Sequence, residues 1–267
     1  MQIRAGILAA GLGRRLEDET LPPKILLRFG GQSLLERHVA ILRHCGVPHI
    51  DLVVGYQAEA IYREIERIGA GDMITTWFNP DYTAGAIVSL NCLGPAMARG
   101  DPFLFMDGDV LYDHRMMARL LNAPPETCFL MDRATEEGED PVKLCIKDDV
   151  LVDFHKRPLR PYDWWGEWIG FTRFAPDVAA KVALAAERRV AAGETGLIYE
   201  EAFRDVLLSE PPGRMAVEDV TGLPWVEIDF PEDLARAERE VLPGLAPLPA
   251  AGAVAGGPGE GAGEAAQ

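Results

Sequence analysis

The chain has 267 residues, 48% of them hydrophobic and 25% charged, with a formal net charge of -16 at pH 7. That length supports one large α/β domain or two small ones, with a sizeable core. The acidic balance excludes a passive nucleic-acid binder, which needs basic surface to displace counterions. A nucleotide substrate stays open, because a metal ion and a few local cations suffice to neutralise phosphates.

Taken in chain order, Arg4 to Ala10 reads as a short buried strand that runs into a glycine-rich loop, Gly11-Leu12-Gly13-Arg14-Arg15. Ser33 to Cys45 has apolar residues at helical spacing and stops near Gly46. Ile50 to Val54 is a second strand, Ala58 to Ile68 a helix, and Met73 to Phe78 a third strand. Ala86 to Ala98 is expected as one helix and Pro102 to Met106 as a fourth strand. Strands alternating with helices at this spacing predict βαβ units and a largely parallel sheet.

The rhythm changes near Thr127. Strand-like runs follow at Cys128–Met131, Val142–Ile146 and Val150–Phe154, with a hairpin turn at Asp148-Asp149. Ile169 to Phe174 is a further strand, and helices are expected over Asp177–Ala192 and Tyr199–Leu208. Trp225 to Ile228 closes as a strand, followed by a helix opened by Pro231-Glu232-Asp233. One domain is therefore expected over residues 1–243. From Gly244 the sequence is almost entirely Ala, Gly and Pro, and this composition predicts a disordered tail over residues 244–267.

Cys45, Cys92, Cys128 and Cys145 lie far apart without a C-x-x-C, as expected of reduced cytoplasmic thiols. The five histidines show no metal-ligand spacing and read as structural or surface residues. No signal peptide and no membrane-spanning run is evident.

Glycines after a strand let the backbone approach a ligand and aim successive N–H groups at phosphate oxygens. A dinucleotide fingerprint would need a third glycine at Leu16, and a Walker loop would need Gly-Lys-Ser/Thr; both are absent. Pro22-Pro23-Lys24 supplies a stiffened lysine shortly after the loop. Two carboxylates, Asp107 and Asp109, end the fourth strand. In Val226-Glu227-Ile228-Asp229 the alternation places Glu227 and Asp229 on one face. Hard oxygen donors of this kind suit Mg²⁺ alongside phosphate oxygens.

Leu8-Ala9-Ala10-Gly11-Leu12-Gly13-Arg14-Arg15-Leu16 with Pro23-Lys24 resembles the signature of the sugar-phosphate and alcohol-phosphate nucleotidyltransferase superfamily. The resemblance implies a Rossmann-like, three-layer, GT-A-like α/β fold with a mostly parallel mixed central sheet and a small β-rich acceptor subregion. It implies transfer of a nucleoside monophosphate from an NTP to a small phosphorylated acceptor, with Mg²⁺ as cofactor and release of pyrophosphate. Leu8, Ala9, Ala10, Gly11, Gly13 and Arg14 would wrap the nucleotide, while Arg15 and Lys24 neutralise its triphosphate. Gly108-Asp109-Val110-Leu111 matches the family's G-D-x-L, which favours Asp109 over Asp107 as metal ligand and leaves Asp107 near the nucleotide. Asp229 fits the late metal acid; Glu227 reads as a solvated residue.

Asn79-Pro80-Asp81-Tyr82 with Ser89-Leu90, and the closing Glu227-Ile228-Asp229 with Asp233-Leu234, resemble the phosphocholine-cytidylyltransferase-like branch, so CTP is the expected nucleotide. Gly85 departs from that branch and resembles molybdopterin-cytidylyltransferase-like relatives; Gly85 and Ser89 are expected beside the nucleotide. Phe154-His155-Lys156-Arg157-Pro158 loosely resembles a stretch whose lysine meets the acceptor phosphate, so Lys156 and Arg157 are both candidates. Tyr162, Trp164, Trp165 and Trp168, with Asp163 and Glu167, read either as an amphipathic cover or as an aromatic cage for a cationic acceptor. Glu167 is the acceptor-side candidate among them, and Glu139, Asp140, Glu200 and Glu201 would add negative potential.

A sugar-1-phosphate acceptor is the alternative within this chemistry. A GT-A glycosyltransferase has no use for the triphosphate loop, and a non-catalytic nucleotide-binding module need not keep its metal acids. No basic surface for nucleic acid is expected, and oligomeric state is not legible.

Overall fold

Strand β1 (Arg4–Ala9) carries Ala5 and Ile7 to the core and ends at the glycine-rich loop. We describe a computed structural model over residues 2–16, 21–134 and 141–248. A short hairpin, β2 (Arg28–Phe29) and β3 (Gln32–Ser33), leads into helix α1 (Leu34–His44), where Ser33 caps the first turn by accepting from the Glu36 N–H at 3.0 Å. Strand β4 (Ile50–Val54), helix α2 (Ala58–Arg67) and strand β5 (Ile74–Phe78) follow. The helix expected over Ala86–Ala98 is broken into α3 (Ala86–Cys92) and α4 (Gly94–Met97), because Gly94 and Pro95 restart it.

Strand β6 (Phe103–Asp107) delivers the first acidic pair, and a brief strand β7 (Val110–Tyr112) and helix α5 (His114–Asn122) come next; neither β7 nor α5 was legible in the sequence. The β-rich stretch holds β8 (Thr127–Asp132), β9 (Lys143–Lys147) and β10 (Val150–His155). Asp148 and Asp149 both take positive φ, 49° and 61°, as a two-residue hairpin turn between β9 and β10 requires. Strand β11 (Trp164–Phe174) begins five residues before the expected Ile169 and turns through Gly170. Helices α6 (Pro176–Ala191) and α7 (Glu200–Ser209), strands β12 (Met215–Asp219) and β13 (Trp225–Glu227), and helices α8 (Pro231–Arg236) and α9 (Leu242–Gly244) complete the chain.

Among the described residues, nine strands form one mixed sheet. Its parallel part runs β6-β1-β4-β5, and antiparallel β11 joins β6 to the β9–β10 hairpin and to β8, with β12 parallel to β8. The β-rich region thus extends the central sheet and does not form a separate one. Along β6 the side chains alternate: Leu104 and Met106 join the core under α1, α2 and α5, while Phe103 and Phe105 join that under α3, α4, α6 and α7. This is the expected three-layer arrangement. The parallel strands β1 and β6 end at the same edge, where α/β sheets open to ligands.

The packed body reaches past the expected boundary. Leu245 and Leu248 lie against the core, and the Ala246 N–H donates to Asp113 Oδ2 at 2.7 Å. The rest of the expected tail, and the acids Glu139 and Asp140, lie outside the described residues. All four cysteines are free thiols. Among the described residues no helix is long and apolar enough to cross a membrane.

Candidate active site

Beyond the ends of β1 and β6 opens a cavity of about 960 Å³. Leu8, Ala10, Gly11, Leu12, Gly13 and Arg15 form one wall. Gly13 takes φ +62°, and a Cβ there would stand 3.4 Å from the Lys24 stem, so glycine serves both the turn and the lysine's approach. Ala9 points into the packed interior and does not line the cavity, and the Arg14 side chain lies outside the described residues.

The floor is acidic. Asp109, Glu227 and Asp229 each offer a carboxylate oxygen, all within 4.8 Å of one another. They meet because β7 pairs antiparallel with β13, Val110 opposite Glu227, and the Ile228 N–H donates to Asp109 O at 3.0 Å. Glu227 therefore belongs to the cluster and is not merely a solvated residue. It keeps contact with water through the open cavity but stands deep among protein atoms. That confinement, with Asp109 and Asp229 beside it, raises its carboxyl well above the usual range.

Cations answer these acids. Lys24 Nζ donates to Asp229 Oδ1 at 2.6 Å and to Asp109 Oδ2 at 3.0 Å. Burial opposes charge on this lysine, but the two aspartates outweigh it and raise its pKa. Arg15 Nη1 donates to Asp229 Oδ2 at 2.7 Å, and its guanidinium lies 5.7 Å from the Phe230 ring centroid. Asp229 is accordingly lowered: its burial works the other way, and Lys24 and Arg15 prevail. A three-oxygen cluster already balanced by one ammonium fits a hard divalent cation such as Mg²⁺.

Asp107, two residues from Asp109, turns to a different partner. The Tyr199 hydroxyl lies 2.7 and 2.6 Å from its two oxygens. Burial first, then the neighbouring Asp109 and Glu227, push Asp107 well above the ordinary carboxylate range. Burial likewise pushes Glu200 up to about 7, and its Oε2 accepts no hydrogen bond among the described residues. Sequence reasoning missed Tyr199 as a site residue and treated Glu200 only as diffuse charge. Their one sequence signal, acids opening a helix, reads equally well as complement to the helix dipole.

Gly85 and Ser89 line a third side. A Cβ on Gly85 would lie 2.3 Å from Leu197 O, and its N–H donates to Thr195 O at 2.7 Å, so a side chain is excluded by backbone packing. Ser89 Oγ accepts from the buried Asn79 amide at 3.0 Å, which accounts structurally for that pair in the sequence.

On the far side stand Lys156, Glu167, Trp168, Tyr199 and Glu200; Arg157 does not line the cavity. The turn bearing Lys156 is held by buried Asp153, which accepts from the Leu159 and Arg160 N–H groups at 2.8 and 3.0 Å and from Arg204 Nε at 2.7 Å. The aromatic run is spread along β11: Trp168 packs on Phe105 and Phe154, Trp164 stacks with Arg133, and Trp165 with Lys143. It is a cover on the core with one face toward the cavity, not a closed cage.

A glycine loop at a strand end, a lysine and an arginine, and a carboxylate cluster in one cleft define a nucleotidyltransferase type of site. Residues 5–159 match the model of the MobA-like NTP transferase domain, and the chain belongs to that family. It is 29% identical to the CMP-5'-(3-aminopropyl)phosphonate synthase of Streptomyces rubellomurinus, over 90% of this chain and 39% of that protein. It is 42% identical to the 2-C-methyl-D-erythritol 4-phosphate cytidylyltransferase of Thermobifida fusca, over 92% of this chain and 95% of that one. Among solved structures it resembles CTP:phosphocholine cytidylyltransferase from Streptococcus pneumoniae, with a TM-score of 0.69 and 21% identity over 89% of this chain and 98% of that one. The chain spans 39% of the phosphonate synthase and about half of two further curated relatives.

Proposed function

We propose that this chain transfers CMP from CTP to a small phosphorylated alcohol or amino alcohol and releases pyrophosphate, with Mg²⁺ as its cofactor. The observation that carries this reading is the convergence of the Gly11–Gly13 loop and Lys24 on the Asp109, Glu227 and Asp229 cluster within one cavity. The CMP product named in one relative and the cytidylyltransferase activity named in another support CTP.

The loop backbone would take the triphosphate, with Arg15 and Lys24 offsetting its charge. Mg²⁺ held by Asp109 and Asp229, with Glu227 beside them, would supply charge neutralisation at the phosphates. Lys156 would place the acceptor phosphate, an oxygen of which attacks the α-phosphorus. A new P–O bond forms as the bond to the pyrophosphate oxygen breaks, and the electron pair leaves with pyrophosphate. The attacking oxygen is already ionised near neutral pH, so positioning and charge neutralisation suffice without a strong general base. Glu167 and Glu200, close to Trp168 and Tyr199, support an acceptor whose far end carries an ammonium or hydroxyl group.

The test is pyrophosphate release with Mg²⁺, each of four NTPs and a panel of phosphocholine, phosphoethanolamine, 2-aminoethylphosphonate, inositol phosphate and sugar 1-phosphates. Release with CTP and an amino- or polyol-phosphate is the expected result. Release only with another NTP and a sugar phosphate would move the branch, and no release by folded protein would overturn the reading.

A further inference from the structure

Asp109, Glu227 and Asp229 are not carried on the nine-stranded sheet. They sit at the end of the β7–β13 ribbon, three residues per strand. Two strands that short have no stability of their own, so their position is set by what grips them. The joint is Gly108. Its N–H donates to Leu8 O at 3.2 Å, which ties it to the end of β1 where the glycine loop begins. A Cβ at position 108 would stand 2.7 Å from that same oxygen, so this approach requires glycine.

The Gly108 carbonyl is bonded from the other side, by His38. His38 Nε2 lies 3.1 Å from Gly108 O, and its ring stacks on Tyr112 with centroids 5.6 Å apart and planes 22° apart. Tyr112 is the last residue of β7. One side chain of α1 thus grips the segment bearing Asp109 at both ends, by a hydrogen bond before it and a ring stack after it. His38 is fully buried, and its Nδ1 has no hydrogen-bond partner among the described residues. Burial lowers its pKa to about 4, so the ring is neutral. A neutral imidazole bonds a carbonyl only through an N–H, which places the proton on Nε2. Packing alone does not call for this residue: an apolar side chain would fill the site but leave the Gly108 carbonyl without its donor.

We propose that His38 is a positioning residue for nucleotidyl transfer, which fixes the Asp109 turn against the glycine loop and against Glu227 and Asp229. The proposal rests on the function proposed above. His38→Gln and His38→Met are nearly the same size, and only Gln keeps a donor. With the full chain, kcat, KM for CTP, Tm, and Mn²⁺ affinity by electron paramagnetic resonance in the presence of CTP are measured for each. His38→Met is expected to lose about 10–100-fold in kcat and about 10-fold in Mn²⁺ affinity, the size usual for residues that orient metal ligands. Its KM for CTP should stay within about 3-fold, and His38→Gln should restore most of both losses. Equal kcat and Mn²⁺ affinity in the two variants would overturn the proposal. Nitrogen NMR of the unmodified protein gives a test that needs no variant to fold: His38 should show a neutral ring protonated on Nε2, and an Nδ1–H ring would overturn it. If wild-type protein releases no pyrophosphate with any substrate pair, the proposed function fails, while Mn²⁺ affinity and the ring tautomer still judge His38.

Discussion

Lys24 Nζ and Asp229 Oδ1 lie 2.6 Å apart, although 205 positions separate the two residues in the chain. With Asp109 also bonded at 3.0 Å, one ammonium balances two members of a three-acid cluster. Lys24→Met removes that balance. Pyrophosphate release should fall by about 100-fold or more, the size usual for loss of one group that stabilises developing charge. The variant's Tm should also depend on divalent cation more steeply than that of wild type, because added Mg²⁺ replaces the lost positive charge. Thermal melts with Mg²⁺ and with a chelator check this; equal Mg²⁺ shifts in both proteins would contradict it.

Gly85 stands where a Cβ would meet the Leu197 backbone oxygen at 2.3 Å and the Gly196 carbonyl carbon at 2.5 Å. Neither is a flexible side-chain tip, so Gly85→Ala must displace residues 196–197. The expected cost is about 1–3 kcal/mol in urea unfolding. KM should rise as well, since this segment leads directly to Tyr199 and Glu200 in the cavity.

Glu64 gives a pH prediction away from the site. Hydrogen bonds from the Arg67 guanidinium, at 2.7 and 2.8 Å, hold its carboxyl down to about 2 against the opposing effect of burial. A carboxyl depressed in the folded state adds stability above its unfolded pKa, near 4.5, and that stability is lost as pH falls toward 2. Glu64→Gln should therefore melt below wild type at pH 7, and the gap should close between about pH 4.5 and pH 2. Melting curves at five pH values between 2 and about 7 test the difference, in which the other acids cancel because both proteins share them. A gap that stays constant to pH 2 would contradict the assignment.

Asp153 is fully buried, and Arg204 beside it is mostly so. Asp153→Ala strands the guanidinium and releases the Leu159 and Arg160 amides that shape the turn after Lys156. Breaking such a pair from one side costs about 3–5 kcal/mol. The expected signature is a lower Tm together with a raised KM for the acceptor and little change in KM for CTP. An unchanged acceptor KM would separate this turn from acceptor binding.

Much of this was legible in the chain because it rests on local requirements. The glycine loop, Pro23-Lys24, Asp109 at a strand end and Asp229 after a strand are each defined within a few residues, and the alternation of strands and helices announces the parallel sheet. The break at Gly94-Pro95 is a local signal, whereas β7 is too short to show a period. Glu227 illustrates the limit: alternation placed it on the face of Asp229, but whether that face met water or Asp109 depended on the pairing of β13 with β7.

By itself, then, the sequence determined the glycine loop, the lysine and arginine near it and two of the three clustered acids, because short-range backbone geometry and charge demand particular residues at particular spacings. Only the tertiary structure decided that Asp107 turns to Tyr199, that Glu227 completes the cluster, and that His38 grips Gly108. Each of those contacts joins segments 70 or more residues apart. Strand register and buried hydrogen bonds set them, and no local pattern encodes either.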